Sequence, residues 1–233
     1  MRYSAVAWRL PGWLRRHILH FEWSIEEAVS AFANTTKQGC LVLDAGAGEA
    51  RHAAAFPHAR YVGVDLAVGD PAWNYRRLDA IANLDALPFA DRAFSRCLNI
   101  VTLEHVRDPQ AVMDEIARVL APSGRLLLIA PQEWEVHQAP NDYFRYTRHG
   151  LELLLGRAGL QPVALTPVGG FFRLLARRML NALQFFAGGI RWLGFLPAAF
   201  FLVPPALILP WLDFLDRQRN FTLGYICVAM KPE

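Results

Sequence analysis

A chain of 233 residues, 54% hydrophobic and 19% charged, is long enough for one sizeable domain with something left over. A formal net charge of +3 is too mild to hold a phosphate backbone, which excludes nucleic acid as the main partner. Cys40, Cys97 and Cys227 sit singly in apolar runs, without CxxC or Cys/His spacing, which excludes a disulfide framework and a structural zinc site and fits a reducing compartment.

The N-terminus lacks the short apolar core of a secretory signal, so a cytoplasmic location is expected. Trp8, Trp13, Phe21 and Trp23 alternate there with Arg2, Arg9, Arg15, Arg16, His17 and His20. Such a mixture suits a membrane interface or the mouth of an apolar substrate site, and equally a helix packed on the body. Ser24 and Glu27 have the spacing of a capping box, which predicts a helix running to about Asn34. Residues 1–37 are read as one helical segment.

Leu41 to Leu43 is an apolar run that suits a strand buried on both faces, followed by Asp44, Ala45, Gly46, Ala47 and Gly48. The two glycines let the backbone turn tightly and approach a ligand, and Glu49 to Phe56 can open a helix behind them. Together these make the strand, glycine loop and helix of a nucleotide-type cofactor site, with Ala50 where a third glycine is common. Arg60 to Asp65 is a second strand, and Asp65 at its end can accept hydrogen bonds from ribose hydroxyls.

Tyr75 to Asp79 reads as a short third strand ending at Asp79-Ala80, and Phe94 to Val101 as a fourth. Asp108-Pro109 starts a helix, Val112, Ile116, Val119 and Leu120 form its apolar stripe, and Ser123-Gly124 ends it. Arg125 to Ala130 is a fifth strand. Thr147 caps a helix through Gly159, Gln161 to Thr166 is a sixth strand and Phe221 to Met230 a seventh. Strands alternating with helices predict an α/β doubly wound sheet, with ligands at the carboxyl ends of the strands.

This order of motifs resembles the class I S-adenosylmethionine-dependent methyltransferases of the type 11 group. The residues that carry the resemblance are Val42 to Gly48, Gly63-Val64-Asp65, Leu87 to Asp91, Leu103 to Val106 and Arg118 to Gly124. His137, Pro140, Asp142 and Arg145-Tyr146-Thr147 resemble a subgroup. The resemblance covers about residues 38–168 plus the last strand, and implies seven strands in the order 3-2-1-4-5-7-6 with the last antiparallel. It implies S-adenosylmethionine as cofactor, with Asp44, Ala45, Gly46 and Gly48 at its methionine end and Asp65 on the ribose. Leu66 would lie against the adenine, Asp79 and Ala80 would reach its amino group, and Asn99 would stand nearby. Ala50, Ser95-Arg96 and Ser123 depart from the family pattern without removing a cofactor contact.

Methyl transfer asks the protein for alignment and, for a hydroxyl acceptor, a base near neutral pKa, which favours histidine. His137 is the candidate base or acceptor-orienting group, with Asp142 as its partner; Glu104, His105, Arg145 and Tyr146 are candidate acceptor contacts. An ion pair bracing the loop explains His137, Asp142 and Arg145 about as well. No metal is expected, since Glu104 alone is thin support for one.

Residues 169–220 interrupt the family pattern. Over Phe171 to Ala187, Arg173, Arg177, Arg178, Asn181 and Gln184 fall on one helical face, and Phe172, Leu175, Met179, Leu183 and Phe186 on another. Trp192 to Leu212 then carries no charge over about 21 residues, the length of a membrane span. Pro197, Pro204, Pro205 and Pro210 argue against one straight helix. A single crossing could not return the chain to its sheet, so the insert is expected to be a re-entrant hairpin, a surface-lying helix pair, a lid or a homodimer interface. Arginines beside apolar surface favour peripheral contact with the anionic inner face of a membrane. An insert leaving the cofactor edge of the sheet should flank the substrate site, which predicts a small lipophilic or lipid-linked acceptor. The alternative reading is a membrane-associated binding or scaffold protein that keeps the fold without turnover; a nicotinamide-dependent oxidoreductase fits the glycine spacing less well.

Overall fold

A computed structural model describes residues 11–186 and 188–233. Trp8, Arg2 and Arg9 lie outside the described residues. The described chain divides into two compact units. One takes the residues up to Glu26 and Pro167–Leu223, and the other Glu27–Thr166 and Gly224–Glu233.

The larger unit is built on a seven-stranded sheet, β1 (Leu41–Ala45), β2 (Arg60–Asp65), β3 (Ala80–Ile81), β4 (Phe94–Ile100), β5 (Leu120–Pro131), β6 (Gln161–Val168) and β7 (Gly224–Met230), in the order β3-β2-β1-β4-β5-β7-β6. Pairs β1·β2, β1·β4, β2·β3 and β4·β5 are parallel, and β5·β7 is antiparallel. The order is the one the resemblance implied. Leu43, Cys97, Leu98, Leu126, Leu128, Cys227 and Ala229 are wholly buried, so two cysteines serve as small core residues and all three are free thiols.

Four parallel strands send their carboxyl ends to one edge, which is where the functional loops gather. The helix after β4, Pro109–Val119, starts as the sequence predicts. Asp108 accepts from the amides of Gln110 and Ala111 at 3.1 and 3.0 Å, and Pro109 occupies the first turn. Val112, Met113 and Ile116 are fully buried beneath it, each contributing about 1.5–3 kcal/mol. Thr147 likewise caps Arg148–Arg157 by accepting from Gly150 N.

Several boundaries differ from the sequence expectations. The helix before β1 spans His20–Asn34, so Ser24 lies inside it and is not its cap. Behind the glycine loop there is only a 3-10 turn, Arg51–Ala55, because Ala50 is left-handed (φ 53°) and Pro57 follows within a turn. Tyr75–Arg77 is a 3-10 turn, opened by the Asn74 side chain, and the third strand comes later at Ala80–Ile81. The helix after Asp108 ends at Val119 rather than Ser123-Gly124: Leu120 is already extended and pairs with Phe94, and Lys231 Nζ donates to the Ala117 and Leu120 carbonyls at 2.6 and 2.9 Å.

The smaller unit is helical, with Gly12–Ile18, Phe171–Ala182 and Trp192–Ile208, the last two joined by 3-10 turns. His17 Nε2 lies 2.6 Å from the Leu207 carbonyl and its ring packs against Trp211, while Arg15 stacks over Trp23; this N-terminal part therefore packs on the insert. Pro197, Pro204 and Pro205 lie inside the helix Trp192–Ile208 without ending it, and Pro210 falls in the 3-10 turn Leu209–Leu215 that follows. Each removes one amide donor, and Leu209 N still bonds to the Pro205 carbonyl to carry the chain onward.

The helix Phe171–Ala182 does not bury a purely apolar face. Leu174, Ala176, Arg177 and Asn181 are buried, and Leu175 is exposed. Arg177 donates to Glu22 at 3.0 and 3.1 Å, Arg173 lies 3.4 Å from Asp213, and Arg219 closes on the same carboxylate. These partners stand far off in sequence, and pairing lets the arginines be buried. Arg173 and Arg177 are thereby committed inside the unit and do not face an anionic surface. The segment Gly189–Leu215 remains long and apolar enough to cross a membrane, and almost none of it is buried.

Candidate active site

At the end of β1 the backbone turns through Gly46 (φ 94°) and Gly48 (φ 54°), conformations glycine adopts without strain. A Cβ at Gly46 would overlap the Thr102 side chain, whose hydroxyl donates to the Gly46 carbonyl at 3.2 Å. Asp65, at the end of β2, ties this loop down: its carboxylate accepts from Gly48 N at 3.0 Å and from Ala67 N at 2.8 Å. Two donors leave further lone pairs on the carboxylate for hydroxyl groups of a ligand. Leu66, next in the chain, is exposed. Asp79 accepts from Gly63 N at 2.8 Å, so its carboxylate is fixed at the β2·β3 edge beside Ala80.

Asp44 is buried; one oxygen accepts from the Tyr61 hydroxyl and the other has no partner. Burial pushes its carboxyl up to about 7, against the Tyr61 bond that lowers it. A buried carboxylate oxygen with no donor beside a glycine loop fits the cationic amino group of the cofactor's methionine end. Asn99 is wholly buried and donates to the Ala45 carbonyl at 2.8 Å, so it braces β4 against β1 at the loop's root. Tyr61 and Thr102 complete the site and carry no motif signal, since their roles come from strand pairing and a close approach.

Asp44 has a consequence for stability. Its folded value near 7 lies above the ordinary 3.8, so folding is favoured while both states are protonated and loses that advantage as pH rises from about 4 to 7. Relative to Asp44→Asn, apo wild type should lose up to about 4 kcal/mol from pH 4 to pH 8, most of it before pH 7, read from denaturant midpoints. Cofactor binding should run the other way and strengthen from pH 6 to pH 8, because an ammonium prefers the ionised acid.

Past β4 and β5 a second group assembles. Glu104 sits in a 3-10 turn, Leu103–His105, with a fractional exposure of 0% and no partner for either carboxylate oxygen. Burial raises its carboxyl to about 8. His105 Nε2 is 3.7 Å and His137 Nε2 3.9 Å from Glu104 Oε1, and the two rings meet edge to face at 4.7 Å. Although the sequence shows no metal spacing, ligand atoms of Glu104, His105 and His137 all lie within 4.8 Å of one another. Asp142 stands behind both histidines, accepting from His137 N at 2.8 Å with His137 Nδ1 at 3.5 Å. Arg145 clamps it with two bonds of 2.6 and 2.9 Å and holds its carboxyl down at about 2. The fold thus unites His137, Asp142, Glu104, His105 and Arg145 in one cluster. Tyr146, expected as an acceptor contact, is instead buried, its hydroxyl donating to the Leu103 carbonyl at 2.7 Å, where it supports the Glu104 turn.

Comparison with known proteins agrees with this geometry. A family described as a methyltransferase domain matches residues 43–128. An uncharacterized methyltransferase of Mycolicibacterium gilvum is 33% identical over 112 residues, 45% of this chain and 44% of that protein. A malonyl-[acyl-carrier protein] O-methyltransferase of Hahella chejuensis is 27% identical over 129 residues, 49% of this chain and 46% of that protein. The chain therefore spans about half the length of these curated relatives. The Burkholderia thailandensis 1,6-didemethyltoxoflavin-N1-methyltransferase, crystallised with S-adenosylhomocysteine, superposes with a TM-score of 0.55 at 20% identity, over 98% of this chain and 89% of that one. Residues 43–128 thus match a methyltransferase domain, and the sheet order and glycine loop around them are those of the class I S-adenosylmethionine-dependent methyltransferase fold.

Proposed function

We propose that the chain transfers the methyl group of S-adenosylmethionine to a small acceptor that is lipophilic or lipid-linked. The bound sulfonium supplies an electrophilic methyl group. Asp44, the Gly46–Gly48 loop and Asp65 would fix the donor, and Glu104, His105 and His137 would orient the acceptor and take its proton. Holding both partners in line can supply on the order of 7–11 kcal/mol, so the protein's task is chiefly positional.

The observation that carries the acceptor class is the apolar segment Gly189–Leu215. Ile190, Leu193, Leu196, Phe200 and Phe201 are each more than 70% exposed, a surface that soluble monomers seldom show. Chain connectivity then tethers the methyltransferase unit to whatever apolar phase covers that segment, and raises the effective concentration of acceptors living there. Peripheral contact with the inner face of a membrane is part of this proposal, and rests on aromatic and aliphatic side chains since Arg173 and Arg177 are internally paired.

The test is release of S-adenosylhomocysteine by purified protein with total lipid extract in liposomes, against the aqueous extract of the same cells. Turnover only with lipid is the expected result. Turnover confined to the aqueous extract, with no sedimentation of the protein on liposomes, would remove the lipophilic acceptor. Concentration-independent dimers by light scattering, with no liposome binding, would assign the apolar face to a second copy.

A further inference from the structure

Main-chain carbonyls fix the tautomers of both histidines in the acceptor cluster. His105 Nδ1 is 2.6 Å from the Asn141 carbonyl, and His137 Nδ1 is 3.0 Å from the Glu135 carbonyl. A carbonyl can only accept, so each Nδ1 carries the hydrogen, and in the neutral imidazole each Nε2 then presents a lone pair. Those lone pairs face Glu104 Oε1 at 3.7 and 3.9 Å. Glu104 is fully buried, neither of its oxygens has a partner, and His105 Nε2 has none either. Two imidazole nitrogens and a partnerless carboxyl therefore converge on one point, an arrangement that a cation there resolves, whether a proton held on Glu104 or a metal ion.

We infer that His105 Nε2, His137 Nε2 and the Glu104 carboxylate form a binding site for one divalent transition-metal ion. Two imidazole nitrogens select against magnesium and calcium, which prefer all-oxygen shells, and favour zinc, cobalt, nickel or iron. Ligands bound at 2.0–2.1 Å in a tetrahedron stand about 3.3 Å apart. Closing the 3.7–3.9 Å gaps to Glu104 takes a few tenths of an ångström, and the two histidines, whose ligand atoms lie within 4.8 Å of each other, must draw together as well. Three protein ligands leave a position open, and both histidines are partly exposed, so an acceptor oxygen can reach the ion. Asp142 lies 3.5 and 4.0 Å from the two Nδ1 atoms and is clamped by Arg145, the outer-layer support that metal-binding histidines commonly have.

What the ion does depends on the proposed methyl transfer: it would lower the pKa of an acceptor hydroxyl and remove the need for a free base. That the ion binds does not depend on it. The test is therefore binding. Chelator-treated protein is titrated with Co²⁺, followed by visible absorption and calorimetry, without cofactor or acceptor. One equivalent with the intense visible bands of a tetrahedral site is expected, displaced by Zn²⁺. Glu104→Gln and His137→Ala should each weaken binding at least roughly 100-fold, and Asp142→Asn on the order of 10–100-fold. Thermal melts and S-adenosylmethionine titration report whether each variant is folded. Wild type that binds no stoichiometric Co²⁺ or Zn²⁺, or binding unchanged in folded Glu104→Gln and His137→Ala proteins, overturns the site and leaves a shared proton as the cation. Metal binding without turnover would count against the methyl-transfer reading and leave the site standing; turnover unchanged by removal of the metal would leave methyl transfer standing and overturn the ion's part in it.

Discussion

Asp65→Ala should weaken S-adenosylmethionine binding by roughly two to three orders of magnitude. Hydrogen bonds to a charged group contribute about 1.5–3 kcal/mol each, and in the proposed site the cofactor ribose would offer two hydroxyls to this carboxylate. Losing both removes about 3–4 kcal/mol, and 1.4 kcal/mol is tenfold in affinity. The same carboxylate holds Gly48 N and Ala67 N, so its removal also frees the glycine loop. Asp65→Asn separates the contributions: it keeps the shape and one acceptor, and should lose less. Calorimetric titration reads both. An alanine variant that binds the cofactor as tightly as wild type would mean that Asp65 does not grip the ribose.

Gly46→Ala should cost about 3 kcal/mol in stability and abolish measurable cofactor binding. Two terms add. A left-handed backbone costs a side-chain-bearing residue about 1–2 kcal/mol, and the new methyl overlaps Thr102, where overpacking adds about 1–3 kcal/mol. For a chain of this size that lowers the melting temperature by roughly 6–12 °C. Gly39 supplies the control. It has φ 75° and nothing within 4 Å of an added Cβ, so Gly39→Ala should show the backbone cost alone. Equal melting shifts for the two variants would show that Thr102 does not crowd Gly46. A second change, Thr102→Gly, should return part of the loss in Gly46→Ala and leave the backbone part.

Much of the fold is legible because its signals are local. An apolar run followed by Asp44 and two glycines can be read from consecutive residues, and so can the Asp108-Pro109 helix start. Where the reading fails, a residue outside the motif decides. Ser24 has the composition of a cap, but the helix begins earlier at His20. Tyr75 to Asp79 has strand-like composition, but the Asn74 side chain accepts from Arg76 N and turns it into a 3-10 turn. In the helix Phe171–Ala182 the arginines taken alone favour an anionic surface, and the distant Glu22 and Asp213 pair two of them, Arg177 and Arg173, inside the unit.

The acceptor cluster shows the same division more sharply. Glu104, His105, His137, Asp142 and Arg145 could each be named from position after the fourth and fifth strands. Their mutual geometry could not, because 32 residues separate His105 from His137 and only the parallel pairing of β4 with β5 brings the two loops to one edge. Nor could the burial of Glu104, which depends on Tyr146 and the loop packing around it.

By itself, then, the sequence determined a strand-and-glycine cofactor loop, an acid on the neighbouring strand and an apolar insert, since each is written in adjacent residues whose backbone preferences and hydropathy act locally. Tertiary structure alone decided which charges are paired, which carboxylates are stripped of partners and which imidazole nitrogens face one another. Those are consequences of burial, and burial is set by residues that meet only when the chain has closed on itself.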